Sequence, residues 1–324
     1  MVGRVRGETG SLGWFLRFRD RINLGVIDAA TKQPVRLPVG GPHAAALVAA
    51  LDPDGTAAAG VLTVFDGKTP FERDSAARCA LYTVDSPGAV APREIADSGR
   101  PIFIVERVGL SSAAHDDPDL ASQAGRRYRV AGFQLAELRK RLLPDIAEAH
   151  RGAEIALAAS LPAFRGTVVN RLVGDCATRC LKVAAASALA DHIPIIGLLT
   201  GGIASATDTV AITGLQINML LHIAAAYGKK AEFARIIELV PVIGGGYGWR
   251  ALARELAGFI PVAGIAIKAA IAYAGTYVVG QAAAQYYETG NAMTAERMSA
   301  LYREGIASAK TLAHQILSRS RKDG

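Results

Sequence analysis

Leu256–Tyr287 reads LAGFIPVAGIAIKAAIAYAGTYVVGQAAAQYY, thirty-two residues with one charge, Lys268. An amphipathic surface helix keeps a polar face along its length, and this stretch keeps none. Two neighbours share the character. Thr209–Gly228 (TVAITGLQINMLLHIAAAYG) has no Asp, Glu, Lys or Arg, and Leu181–Thr207 carries only Lys182 and Asp191. Each is near or above the ~20 apolar residues that cross a bilayer core as a helix. They are expected either to enter a membrane or to bury one another. Glycines and prolines at their ends (Ile193-Pro194, Gly201-Gly202, Gly228, Pro241, Gly244-Gly245-Gly246, Pro261) fit re-entrant hairpins as well as spans.

On the last of these stretches Ala272, Thr276, Gly280 and Ala284 recur at i, i+4, and Lys268 extends the row toward its start. Such a small-residue ridge lets a second helix approach closely. An ionisable group in an apolar helix is a functional candidate inside a membrane and a snorkelling surface group in a bundle. Thr294–Ser318 is more ordinary, with Met298, Leu301, Tyr302, Ile306, Leu312 and Ile316 on one face.

Before the apolar region the pattern changes. Short β-type runs at 35–39, 60–65, 80–84, 101–105 and 128–131 alternate with helical or loop stretches. That alternation predicts a mostly parallel sheet covered on both faces, and the apolar run IFIV fits a strand buried in it. The expected order is a basic, aromatic lead-in at 1–33, an α/β domain at 34–150, an apolar helical domain at 151–290, and an amphipathic helix with a basic tail at 291–324. Helix breaks are expected at Pro144 and Pro241.

The chain of 324 residues has a net charge of +7 and a mean hydropathy of +0.24. The basic balance permits anionic lipid as a partner. A nucleic-acid surface needs clustered basic and aromatic residues. The best cluster, Arg126-Arg127-Tyr128-Arg129, leads into a strand, so no nucleic acid is expected. Basic residues at both ends (Arg4, Arg6, Arg17, Arg19, Arg21; Arg319, Arg321, Lys322) favour cytoplasmic termini if the apolar stretches insert. The first twenty residues lack the apolar core of a signal peptide. Three cysteines, Cys79, Cys176 and Cys180, match no zinc module and fit a reducing compartment. No GxSxG, HExxH or CxxC occurs. His115–Gln123 lacks the glycine and distal Glu of a calcium loop, so no metal or cofactor is expected.

The segment from Ile193 to Gly228, with that from Arg250 to Glu288, resembles the helical domain of unknown function 697, which follows Era-like GTPase domains in bacteria. The resemblance rests on Gln216 and Met219 before Tyr227-Gly228, the Phe259-Ile260-Pro261…Gly264 entry, Ala272-Tyr273…Thr276-Tyr277…Gly280, and Tyr286-Tyr287. It covers a third to a half of the chain and implies that the preceding α/β region is a GTPase-like domain. The nucleotide chemistry does not follow. A phosphate loop needs GxxxxGK[ST], so that backbone N–H groups wrap the phosphates while the lysine and hydroxyl reach phosphate and magnesium. Here Gly40-Gly41-Pro42-His43-Ala44-Ala45 offers neither lysine nor hydroxyl. Where the guanine-reading NKxD falls, the chain has Glu106-Arg107-Val108-Gly109. Asp85-Ser86-Pro87-Gly88 reads as a Pro-Gly turn rather than the DxxG switch. Gly40, Gly41 and Glu106 are therefore expected to mark a vestigial nucleotide site. The resemblance implies a pseudo-GTPase at the cytoplasmic membrane, docking a protein partner such as an active GTPase, or self-associating. The alternatives are a divergent GTPase using Lys68 and Thr69 of Gly67-Lys68-Thr69, and a structural helical bundle.

Overall fold

A computed structural model describes residues 22–65, 76–86, 89, 91–96, 99–108, 126–190, 203–244 and 265–320. The chain divides into two compact units. An α/β unit comprises Asp28–Val168 with Ala225–Lys229, and a helical unit takes the remainder, including Val169–Ala224 and the chain from Lys230 onward.

The chain enters through α1 (Leu24–Thr31). The five β-type runs form the strands β1 (Leu37–Gly40), β2 (Leu62–Phe65), β3 (Ala80–Val84), β4 (Ile102–Arg107) and β5 (Arg126–Val130). All pair in parallel, in the order β2-β1-β3-β4-β5. Helix α2 (Ala44–Leu51) follows β1, and α3 (Arg93–Ala96) lies between β3 and β4. After β5 come α4 (Leu135–Leu138), α5 (Leu142–Ala149) and α6 (Glu154–Ser160). Ile102, Phe103, Ile104 and Val105 of β4 are all buried, as an interior strand covered on both faces requires. Each such side chain contributes about 1.5–3 kcal/mol over its exposed state. At the edge strand β2, Val64 is exposed. The α/β expectation thus holds as a parallel five-stranded sheet with helices. Pro144 does not break a helix. It sits in the first turn of α5, where its missing N–H would have no intrahelical partner in any case.

In the helical unit α7 (Arg165–Ala190), which belongs to it from Val169, is joined by α8 (Ile203–Ala226), α9 (Phe233–Gly244), α10 (Ile265–Thr289) and α11 (Ala295–Ser320). Gly228 (φ +73°) closes α8, its N–H reaching the Ala225 carbonyl at 2.9 Å. Pro241 lies within α9 rather than in a loop. The carbonyl it leaves without a helical donor belongs to Ile237, which is exposed to water.

No helix among the described residues is long and apolar enough to cross a membrane. Of the two expectations for Thr209–Gly228, a span or mutual burial, the described residues support no span. Residues 191–202 and 245–264 lie outside the described set.

α10 lacks a polar face because neighbours surround it. One side carries Ala274, Val278 and Ala282 against Met298, Leu301 and Tyr302 of α11. The other carries Thr276 and Gly280 against Val173 of α7 and Gln216 and Met219 of α8.

Candidate functional site

Strand order places the site. From β1 the chain goes to β2 on one side and then to β3 on the other, so the order reverses between β1 and β3. In open parallel sheets ligands bind in the crevice beyond the carboxyl ends of the strands at such a reversal. The residues there are Gly40, Gly41 and His43 after β1, and Thr83 and Asp85 at the end of β3.

Within that crevice, side chains tie the end of β3 to the turn after β1. Thr83 is fully buried and uses its hydroxyl twice: it donates to the Gly40 carbonyl at 3.0 Å and accepts from the His43 backbone N–H at 2.9 Å. Gly41 (φ +92°) lies so close to β3 that a Cβ would fall 2.1 Å from the Thr83 carbonyl oxygen. Only glycine fits on both counts. A Cβ at Gly40 would fall 2.3 Å from the Phe65 ring, which therefore covers that residue. The His43 ring pairs with the Asp85 carboxylate through Nε2 and lies 5.9 Å from the Phe133 ring. Only Gly41, Pro42 and His43 separate the end of β1 from the start of α2.

On β4, two strands from β1, Glu106 is 1% exposed although it is the last residue but one of the strand. Its register partner on β5 is Arg129. The alternation of side chains puts Arg127 on the same face. Arg127 Nη1 donates to Glu106 Oε2 at 2.9 Å, and Arg129 Nε lies 3.5 Å from Oε1. Arg127 also reaches the Ala89 carbonyl. The carboxylate is thus paired with both arginines, its Oε1 without a hydrogen bond among the described residues. On the opposite face the Tyr128 hydroxyl donates to Asp145, which also pairs with Arg126 at 2.7 Å. Burial, followed by that hydrogen bond, raises the Tyr128 phenol.

The unit also contains a buried Cys79–His150 pair. His150 Nδ1 lies 2.9 Å from the Ile146 carbonyl oxygen and 3.9 Å from Cys79 Sγ. Burial lowers His150 against the pull of nearby carbonyls and pushes Cys79 up to about 12. At neutral pH the pair is an imidazole and a thiol, a packing arrangement rather than a nucleophile and base. Among the described residues no group of three or more His, Cys, Asp or Glu could hold a metal ion.

In the helical unit the predicted ridge is partly an interface. Thr276 is fully buried and receives a hydrogen bond from Gln216 Nε2 at 2.9 Å. A Cβ at Gly280 would lie 2.5 Å from a Val173 methyl and 3.2 Å from the Met219 methyl. Ala272 and Ala284 are half-buried and Lys268 is exposed. Cys176 and Cys180 lie buried on successive turns of α7 as free thiols, and hydrogen bonding to Cys180, then burial, raises Cys176. A second close approach is not marked by the ridge: a Cβ at Gly305 of α11 would lie 3.0 Å from Ala274 Cα. A glycine inside an otherwise regular amphipathic helix was its signal.

Lys68, Thr69, Pro87, Gly88, Gly109 and the acidic loop at 115–123 lie outside the described residues. The fold defines an α/β unit with a parallel sheet whose order reverses between β1 and β3, joined to an all-helical unit. No family model, curated protein or solved structure matches the chain.

Proposed function

We propose that this chain is a non-catalytic, membrane-associated docking protein. Its α/β unit is a pseudo-GTPase module that engages a protein partner, and its helical unit carries the association with the membrane. The observation behind this reading is the connection from β1 to α2. Three residues join strand to helix, fewer than the GxxxxGK[ST] pattern requires, and Thr83 occupies the backbone groups that a phosphate loop would turn toward its ligand. The buried Glu106–Arg127–Arg129 group supports it where guanine recognition would be expected. With magnesium and GTP or ATP, the purified chain should release no phosphate above buffer. Magnesium-dependent release that disappears in Lys68→Ala would replace this reading with a divergent hydrolase.

A second reading, that the helical unit is a self-contained structural bundle, is favoured by the enclosure of α10. Membrane fractionation with alkaline carbonate extraction separates the two. Recovery in the membrane fraction supports association, with carbonate release marking it as peripheral. Recovery in the supernatant before any extraction supports the bundle.

A further inference from the structure

Leu181 and Ala185 of α7, Ala269 and Ala270 of α10, and Ala309 of α11 form one buried cluster. Val173 meets Gly280 farther along the same helices, so α7 runs antiparallel to α10. Ala274 meets Gly305, so α11 does too. The cluster therefore lies toward the end where α10 begins.

A lysine stands immediately beside the cluster on each of the three helices: Lys182 next to Leu181, Lys268 next to Ala269, and Lys310 next to Ala309. All three are exposed. None makes an ion pair or hydrogen bond among the described residues. The carboxylates of these helices, Asp175, Glu288, Glu296 and Glu304, all fall on the other side of this level.

Past the lysines the sequence changes character. Residues 183–207 carry one charge, Asp191, and residues 256–267 carry none. On α8, which runs parallel to α10, Asp208 is the acidic residue nearest this level. Further cations, Arg319, Arg321 and Lys322, follow on the α11 side, with Asp323. A ring of lysines without partners among the described residues, bordering uncharged sequence, is the arrangement that meets the headgroup level of a membrane, where long cationic side chains reach anionic lipid while their stems lie along apolar surface.

We propose that this end of the helical unit docks on an anionic phospholipid surface, with Lys182, Lys268 and Lys310 contacting the headgroups. The inference rests on the membrane association proposed above and names the lipid class and the residues that recognise it. Each lysine is expected to strengthen partition about fivefold, and the three together on the order of a hundredfold.

Flotation of the full chain with phosphatidylcholine vesicles, with and without a minority of phosphatidylglycerol, tests this at about 0.1 M salt. The wild type should float preferentially with the anionic vesicles. Lys182→Gln/Lys268→Gln/Lys310→Gln should lose that preference, while the triple Arg variant keeps it. Lys140→Gln/Lys229→Gln/Lys230→Gln, which removes the same charge elsewhere, should behave as wild type. The altered side chains are exposed and unpaired, so thermal unfolding should not move. Equal flotation with both vesicle types, an unaffected triple Gln variant, or equal loss in the control triple would overturn the lysine assignment and leave membrane association standing. If the wild type floats with neither vesicle, membrane association falls and the lysine assignment falls with it.

Discussion

Thr83 joins two backbone segments through one hydroxyl, donating to Gly40 and accepting from the N–H of His43. The Thr83 side chain and Gly40 are buried, so the Gly40 carbonyl has no water as a substitute partner, while His43 is half-buried. The first turn after β1 is thereby fixed to β3.

Thr83→Val keeps the shape and removes both bonds, leaving the His43 N–H and the Gly40 carbonyl short of a partner. A cost of about 1–3 kcal/mol is expected. Urea unfolding of the full chain followed by circular dichroism measures it. A change within experimental scatter would mean that the turn holds without Thr83.

Glu106 is the buried carboxylate of a two-arginine group. Glu106→Ala leaves Arg127 beside a vacated partner and should cost about 3–5 kcal/mol. Glu106→Gln keeps the volume and one acceptor and should cost less. The same unfolding experiment ranks the two, and a reversed order would remove charge from the account of this corner.

Glycines on α10 separate close packing from mere permissiveness. A Cβ at Gly280 meets Val173 at 2.5 Å, whereas one at Gly275 meets nothing within 4 Å. Gly280→Ala should destabilise by about 1–3 kcal/mol through overpacking. Gly275→Ala should stabilise by about 0.5–1 kcal/mol through helix propensity. Thermal unfolding of both variants should show shifts of opposite sign.

Two buried groups, His150 and Cys79, contribute to the pH dependence of stability. His150 is lowered from its ordinary 6.5, so the unfolded chain takes up a proton that the folded chain refuses. Its contribution is present above that value and lost as pH falls below it. Cys79 is raised from 9.0 to about 12, so its contribution is present below 9 and lost between about 9 and 12. His150→Gln should flatten the acid limb and Cys79→Ala the alkaline limb of a plot of melting temperature against pH.

Much of this was legible in the chain. The five strands could be placed because Val-, Ile- and Tyr-rich runs recur between helical stretches, and the lost phosphate loop could be read from Gly40 to Ala45. The role of Thr83 could not, because a threonine in a strand looks like any other until the register sets it beside Gly40. Nor could the pairing of Glu106, which needs β5 at its side to bring Arg127 and Arg129 to the same face. The uncharged helices misled in one respect. Sequence shows the absence of a polar face but not what covers it, and for α10 the cover includes α7, α8 and α11. Pro144 misled because a proline is costly inside a helix and cheap in its first turn, whereas Pro241 sits inside α9 at the cost of one helical hydrogen bond.

The proposed loss of the nucleotide site is tested most directly by equilibrium titration of the full chain with a fluorescent GTP analogue and magnesium. No saturable signal is expected through micromolar concentrations. Saturable micromolar binding, competed by unlabelled GTP and abolished by substitution at Gly40 or Gly41, would contradict the account.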